Sequence, residues 1–395
     1  MDRDILYGIR IVDFTRVLAG PYATRILGDF GAEIIKVQSK KGASGAEDNS
    51  EASFTTWNRN KLSITLDMSY PEAREFALKL TAISDVIIEN FSPRVMSNWG
   101  LSYEELREVR EDVIMVSMSG MGQTGPWKDF VAFGPTIQSL GGITFLTSYD
   151  KGSPIGLGYS YADTIAALYC TFAVLAALEY RDKTGLGQFL DLSEYEAACT
   201  LIGPALLDLT ANHRDIPPQG NRSYYIPAAP YGCYQCLGDD RWCVIAVFNE
   251  VEWNNFRDVM GDPPWAREDK FSTMSNRKMH ESELDAYIEK WTIKHTAEEI
   301  VQRLQKAHVS SGVVQNAEDL ANDPHLLARN FFGEIKHPLL GTIKTDKCPI
   351  TFKGSGKGPW KASPLLGEDN YYVYGELLGL SGDTIRSYMA KGIIA

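Results

Sequence analysis

Histidine is absent before His213, and the other five (His280, His295, His308, His325 and His337) all follow it. A histidine base for chemistry in the amino-terminal half would have to come from downstream or from another subunit. Cysteine occurs only at 170, 199, 233, 236, 243 and 348, without a framework spacing. Cys233 and Cys236 have CxxC spacing, but no second CxxC or HxxxH accompanies them, and on a strand-like run they would face opposite ways. We therefore expect no bound metal, and the reduced thiols of a cytoplasmic protein. Basic charge is in deficit, with 39 Lys and Arg against 51 Asp and Glu and a net charge of −12. That disfavours a nucleic-acid surface or an anionic membrane as partner. No apolar leader precedes Ile5, and the apolar run Thr164–Leu178 is too short to cross a bilayer. Three motifs are also missing: GxGxxG after the first strand, GxxxxGK[ST], and GxSxG. Their absence argues against a dinucleotide enzyme, a P-loop NTPase and a serine hydrolase.

What is present is an alternation of strand and helix signals along the first half of the 395 residues. IRIVDF (9–14), EIIKVQ (33–38), LSITLDM (62–68), DVIIEN (85–90), VIMVSMS (113–119) and QFLDLS (188–193) are rich in β-branched and apolar residues. Between them lie helical patterns such as PEAREFALKLTAI (71–83), with Pro71 suited to a first turn. Strands separated by helices predict parallel βαβ units in an α/β, doubly wound, Rossmann-like domain. EYEAACTLIGPALLDL (194–209) reads as one further helix, and the polar, Pro- and Gly-rich stretch 211–223 as a linker. A hairpin in YGCYQCLGDDRWCVIAV and several amphipathic helices then predict a smaller α+β domain over 224–334. Residues 335–395 are expected to return to the large domain, 1–210.

One carboxylate stands out. In GYSYADTIAALYCTFAVLAALEY (158–180), Asp163 is the sole acid before Glu179 in an otherwise apolar helix. If the helix begins at Thr164, Asp163 is its cap. The other reading is chemical: with histidine and the serine motif missing, Asp163 is the best-placed nucleophile or acid/base.

The blocks GIRIVDFTRVLAGPYATRILGDFGAEIIKVQ, WNRNKLSITLDM, DVIIENFSPRVMSNWGLSYEEL, SMSGMGQTGPW, the stretch 158–197, DPHLLARNFF and SPLLGEDN resemble the class III CoA-transferases, the family of formyl-CoA and carnitine CoA-transferases. The likeness runs over nearly the whole chain. It implies that Asp163 is the catalytic nucleophile and that acyl-CoA is a substrate, with no permanently bound cofactor. It also implies CoA contacts at Arg16 and Val17, at Leu66, and at Asn90, Phe91 and Ser92, with Lys40 and Arg94 as phosphate partners by charge. Ala162, Ala166 and Ala167 would leave room for the acyl group. The formyl-CoA branch has glutamine where this chain has Leu18, and a glutamate where it has Gly134. We read that change as less polarity and more space beside Phe133 and Gly134, hence a larger acid, as in the succinyl-CoA:benzylsuccinate branch. An interlocked assembly is implied, either a homodimer or a heteromer with a homologous subunit. Two alternatives remain: an α-methylacyl-CoA racemase, although Phe133 and Gly134 replace that branch's histidine–aspartate pair, and a non-catalytic subunit of a heteromeric transferase.

Overall fold

The computed structural model describes residues 4–149, 152–218, 220–352 and 360–395. Gln219 of the expected linker and 353–359 of the returning segment lie outside them. The chain divides into two units. One takes the residues up to Thr144, Gly156–Asp215 and Ala328–Ala395; the other takes Phe145–Ile155 and Ile216–Leu327.

The first unit is built on six strands: β1 (Arg10–Asp13), β2 (Glu33–Gln38), β3 (Lys61–Thr65), β4 (Val86–Glu89), β5 (Ile114–Ser119) and β6 (Phe189–Ser193). They pair in the order β3-β2-β1-β4-β5-β6, every pair parallel. This is the doubly wound α/β sheet that the alternation predicts, with its order reversing between β1 and β4. The crossovers carry α1 (Ala19–Asp29), α2 (Ala52–Trp57), α3 (Pro71–Ala82), α4 (Val95–Asn98), α5 (Tyr103–Val109), α6 (Gly134–Leu140), α7 (Ile143–Leu146) and α8 (Tyr161–Thr184). After β6 comes α9 (Glu194–Cys199). The helix expected over 194–209 is broken: a tight turn at Thr200–Ile202 precedes a separate helix, Gly203–Asn212. Pro204 accounts for the restart, because proline fits a first helical turn and not a helix interior.

Parallel strands must be covered on both faces. On one face Val12, Ile35, Ile64 and Ile87 pack with Phe76 and Leu80 of α3 and with Val373, Tyr374 and Ile385 near the carboxyl terminus. On the other, Ile11, Ile34, Ile88 and Val116 meet Ala23 and Leu27 of α1 and Ala166, Cys170 and Val174 of α8. α8 is longer than its apolar run. By length and composition alone it could cross a membrane, but one face is core, and a buried helix of a globular domain has the same composition. Its other face leaves Leu168, Phe172 and Leu175 exposed.

The sheet also buries charge. Asp13, fully buried at the end of β1, binds Lys61 Nζ at 2.9 Å and accepts from the Thr24 hydroxyl at 2.6 Å. Burial pushes this carboxyl up, but the charges of Lys61 and Lys36 and two threonine hydroxyls outweigh it and hold it down at about 2. Lys36 donates to the Thr15 carbonyl at 2.8 Å. Asp13 thereby fastens the loop that follows β1.

The second unit has a three-stranded antiparallel sheet of β7 (Tyr231–Gln235), β8 (Trp242–Ala246) and β9 (Ser310–Val313). Its helices Glu250–Val259, Glu281–Thr292 and Ala297–Lys306 bury Trp253, Phe256, Leu284, Ile288 and Ile300 against it. In the first unit, β10 (Phe332–His337) and β11 (Gly341–Asp346) form a separate hairpin. Arg59 joins that hairpin to Asp29 at the end of α1, with Asp346 Oδ1 at 3.3 Å.

Candidate active site

At the carboxyl edge of the parallel sheet, where the strand order reverses, the loops after β1 and β4 separate and leave a crevice. The first is pinned to the second by Asn90, whose side chain accepts from Arg16 N at 2.7 Å and donates to Arg16 O at 2.9 Å. Val17 follows with φ at +68°, a conformation that costs a β-branched residue energy and is held here by its N–H bonding Glu47 at 2.8 Å. Arg16 lies over the Phe91 ring, its guanidinium carbon 5.6 Å from the centroid.

Between these loops, the segment after β5 and the start of α8 lies a cavity of about 290 Å³. Arg16, Val17, Asn90, Phe91, Ser92 and Phe133 line it together with Asp163. Sequence reasoning named all seven. Two ionisable residues it did not name also line it, Lys128 and Glu194.

Asp163 is not a cap. α8 begins at Tyr161, two residues before it, so Asp163 falls in the first turn. The boundary moves upstream because Gln138, buried on α6, accepts the Tyr161 N–H at 2.5 Å and occupies a donor the helix leaves free. The Ser160 hydroxyl donates to Asp163 Oδ2. Burial pushes the Asp163 carboxyl up, and the Ser160 hydrogen bond and its own backbone N–H pull it down. The group is thus a partly desolvated carboxylate, held in place and open on one side to the cavity.

Glu194, the first residue of α9, is 6% exposed. Burial first, and the nearby Asp163 charge second, push its carboxyl up to about 8. Among the described residues it makes no side-chain hydrogen bond or ion pair. Arg16 and Lys128 likewise have no carboxylate partner among them. The site therefore combines one constrained carboxylate, one carboxyl that burial pushes up to about 8, and two cations without a carboxylate partner among the described residues.

The other residues named from the sequence lie outside this cavity or are packed. The change at Gly134 opens no space: a Cβ there would overlap Ser160 Oγ and Asp163 Oδ2. Glycine lets α6 approach the first turn of α8, so larger acids gain no room from it. Leu66 is 2% exposed and packs in the hydrophobic core beneath the sheet. Lys40 is exposed just after β2 and does not line the cavity. Arg94 is ion-paired with Asp129 at 2.6 Å, and neither it nor Leu18 lines the cavity. Ala162, Ala166 and Ala167 are fully buried in packing contacts, where small side chains allow close approach instead of leaving a space.

A larger cavity, about 570 Å³, lies on the sheet of the second unit beside Arg222, Cys233 and Ser311. It has no carboxylate in its lining, and Arg222 is engaged by Asp285 at 3.4 Å. Among the described residues no group of three or more His, Cys, Asp or Glu could hold a metal ion.

The family model described as CoA-transferase family III matches residues 6–370. The chain belongs to CoA-transferase family III. It is accordingly an enzyme that transfers CoA. The chain is 32% identical to the succinyl-CoA–D-citramalate CoA-transferase of Chloroflexus aurantiacus, over 98% of this chain and 97% of that one. It is 30% identical to the alpha subunit of the succinyl-CoA–L-malate CoA-transferase of the same organism, over 98% and 92%. The crystal structure of a CaiB/BaiF family protein from Brucella suis superposes with a TM-score of 0.87 at 28% identity, covering 95% of this chain and 100% of that one.

Sequence reasoning gave neither Lys128 nor Glu194 a role, although Glu194 lies within the family-like stretch 158–197 and Lys128 directly follows SMSGMGQTGPW. Each enters the site only because the segment after β5 and the turn after β6 end at the same sheet edge. The one sequence signal was Glu194 itself, an acid opening a helix right after a strand.

Proposed function

We propose that Asp163 is the nucleophile of a CoA transfer from an acyl-CoA thioester, succinyl-CoA for preference, to a carboxylic acid. The observation that carries this reading is the Asp163 carboxylate, fixed by Ser160 at the first turn of α8 and facing a cavity at the switch point of the sheet. Its oxygen attacks the thioester carbonyl, the C–S bond breaks, and CoA leaves as thiolate with an aspartyl anhydride remaining. The thiolate then attacks the aspartyl carbonyl, releasing the first acid and leaving an aspartyl-CoA thioester. The incoming acid repeats these two steps in reverse. Carboxylate and thiolate are ionised at neutral pH, so no histidine is required. Partial burial of Asp163 strengthens it as a nucleophile and keeps water from the anhydride.

The cavity suits the acyl group and thioester end, not the whole coenzyme. Arg16, Val17, Asn90, Phe91 and Ser92 are placed to bind the coenzyme as it enters, and Lys128 is a nearer cation than Lys40 or Arg94 for an anionic group. The two relatives named above use succinyl-CoA by name, which supports that donor. The exposed apolar face of α8 supports an assembly in which a second copy or a homologous subunit covers it. Six free cysteines suit a reducing, cytoplasmic compartment.

The test is a screen of carboxylic acids, including dicarboxylic and aryl-bearing ones, against succinyl-CoA and acetyl-CoA, read by mass spectrometry of the acyl-CoA products. Transfer by the chain alone, abolished in Asp163→Ala, is the expected result. Deuterium entering the α-position of an acyl-CoA with no exchange of CoA would mean a racemase. Activity only with a homologous partner added, and unaffected by Asp163→Ala, would mean a non-catalytic subunit.

A further inference from the structure

Glu194 is the buried ionisable group in the site that the transfer steps above leave unused. The residue is only 6% exposed, lines the same cavity as Asp163, and its carboxyl finds no partner among the described residues. With no partner in the protein, that carboxyl opens to the cavity, so beside a reacting carboxylate it is expected to meet its partner when substrate arrives. Resting on the CoA-transfer reading, we propose that the Glu194 carboxyl donates a hydrogen bond to the acyl oxygen of the group under attack by Asp163.

The chemistry of the step explains the need. As an Asp163 oxygen adds to the thioester carbon, the carbonyl π pair moves onto the acyl oxygen. That oxygen carries the negative charge until the C–S bond breaks and the pair returns. Glu194 keeps its proton throughout and shares it with the oxygen, so no proton is transferred and the balance of the step is unchanged. A neutral donor set in place beforehand is the kind of group that stabilises such charge. An ionised Glu194 would do the opposite, repelling both the oxyanion and Asp163.

The surroundings favour the neutral form. Of the elements packed against α9, α8 brings Asp163 and Tyr169, whose hydroxyl donates to Thr200 at 3.3 Å. β6 brings Asp191, which accepts from Gln123 N at 2.9 Å. α6 and the turn Thr200–Ile202 carry no ionisable group. Within α9 itself lie Tyr195, Glu196 and Cys199, and across the cavity stand Arg16 and Lys128, neither paired with Glu194. Burial and the Asp163 charge accordingly keep Glu194 protonated up to about pH 8.

Two measurements on the full-length protein test this. The first is infrared difference spectroscopy of wild type against Glu194→Gln. The expected result is a protonated-carboxyl C=O band at pH 7 that disappears as pH rises through about 8 and is missing from the variant. No such band at pH 7 overturns the proposal, whatever the activity. The second is the rate of CoA exchange between succinyl-CoA and isotopically labelled succinate. Glu194→Leu should lose about 100-fold in kcat with KM little changed, the usual cost of one oxyanion donor. Glu194→Gln, whose amide still donates, should stay within about tenfold of wild type and lose the fall in rate above pH 8 that wild type shows. A merely structural role would instead show in Glu194→Leu as a loss of folded protein by circular dichroism, with kcat per folded molecule unchanged. An undiminished Glu194→Leu, or a retained limb in Glu194→Gln, overturns the proposal. Should wild type move CoA between no acids at all, the CoA-transfer reading of the site fails first, and the acyl oxygen fails with it as Glu194's partner.

Discussion

Three residues meet in a very small space at the head of α8. Gly134 has no room for a Cβ because Ser160 and Asp163 already occupy it. Gly134→Ala should therefore displace Asp163, the proposed nucleophile, and cut kcat by about 100-fold, the scale set by misplacement of a reacting group, while the fold shown by circular dichroism persists. Ser160→Ala acts through charge. It removes a hydrogen bond to a carboxylate, worth about 1.5–3 kcal/mol, so the Asp163 pKa should rise further. The proposed attack needs the ionised form, so the acid limb of the pH–rate profile should move up. Glu194 supplies a stability prediction of opposite origin. From its ordinary value of 4.5 up to about 8, the folded chain holds a proton that the unfolded chain has released. Stability contributed by that proton is complete below 4.5 and is lost as pH rises to about 8. Urea midpoints measured across this window should fall less steeply in Glu194→Gln than in wild type.

Among the elements, the strands were the most legible. β2 spans 33–38 in sequence and structure alike, and β5 and β6 differ from their apolar runs by a residue. Parallel strands buried on both faces write themselves as unbroken β-branched runs, so nothing competes with the signal. The helix expected over 194–209 failed at Gly203–Pro204, where apolar periodicity outvoted a proline. Alanines along α8 suggest space in the sequence but mark close packing in the fold, a distinction that needs the neighbouring element. Lys128 and Glu194 escaped notice for the same reason: their meeting depends on two separate segments ending at one sheet edge. Asp13 shows how that edge is held. It is the buried counter-charge for Lys61, and Lys36 lies beside it. Asp13→Ala should destabilise the first unit by about 3–5 kcal/mol, the cost of stranding a buried charge, seen as a lowered urea midpoint. Activity should fall with it, since the loop carrying Arg16 starts at this residue.

For the whole molecule, the pattern of exposure is informative. The outward stripe of α8, with Leu168, Phe172 and Leu175, is apolar in a chain whose net charge is −12. A partner chain covering it would remove that surface from water. Phe172→Glu should lower the association state, measured by analytical ultracentrifugation over a range of protein concentrations; an unchanged sedimentation profile would show that the stripe is not an interface. Such a face is not legible in sequence, because burial in the core and burial by a partner impose the same apolar composition on a helix. The central claim concerns covalent chemistry at one oxygen, and it can be read directly. Incubate the protein with succinyl-CoA, quench, digest, and measure the mass of the peptide carrying residue 163. The account predicts a CoA thioester or, in the presence of hydroxylamine, a hydroxamate on Asp163 itself. An unmodified Asp163 peptide from protein that is turning over, or the adduct on another residue, would contradict it.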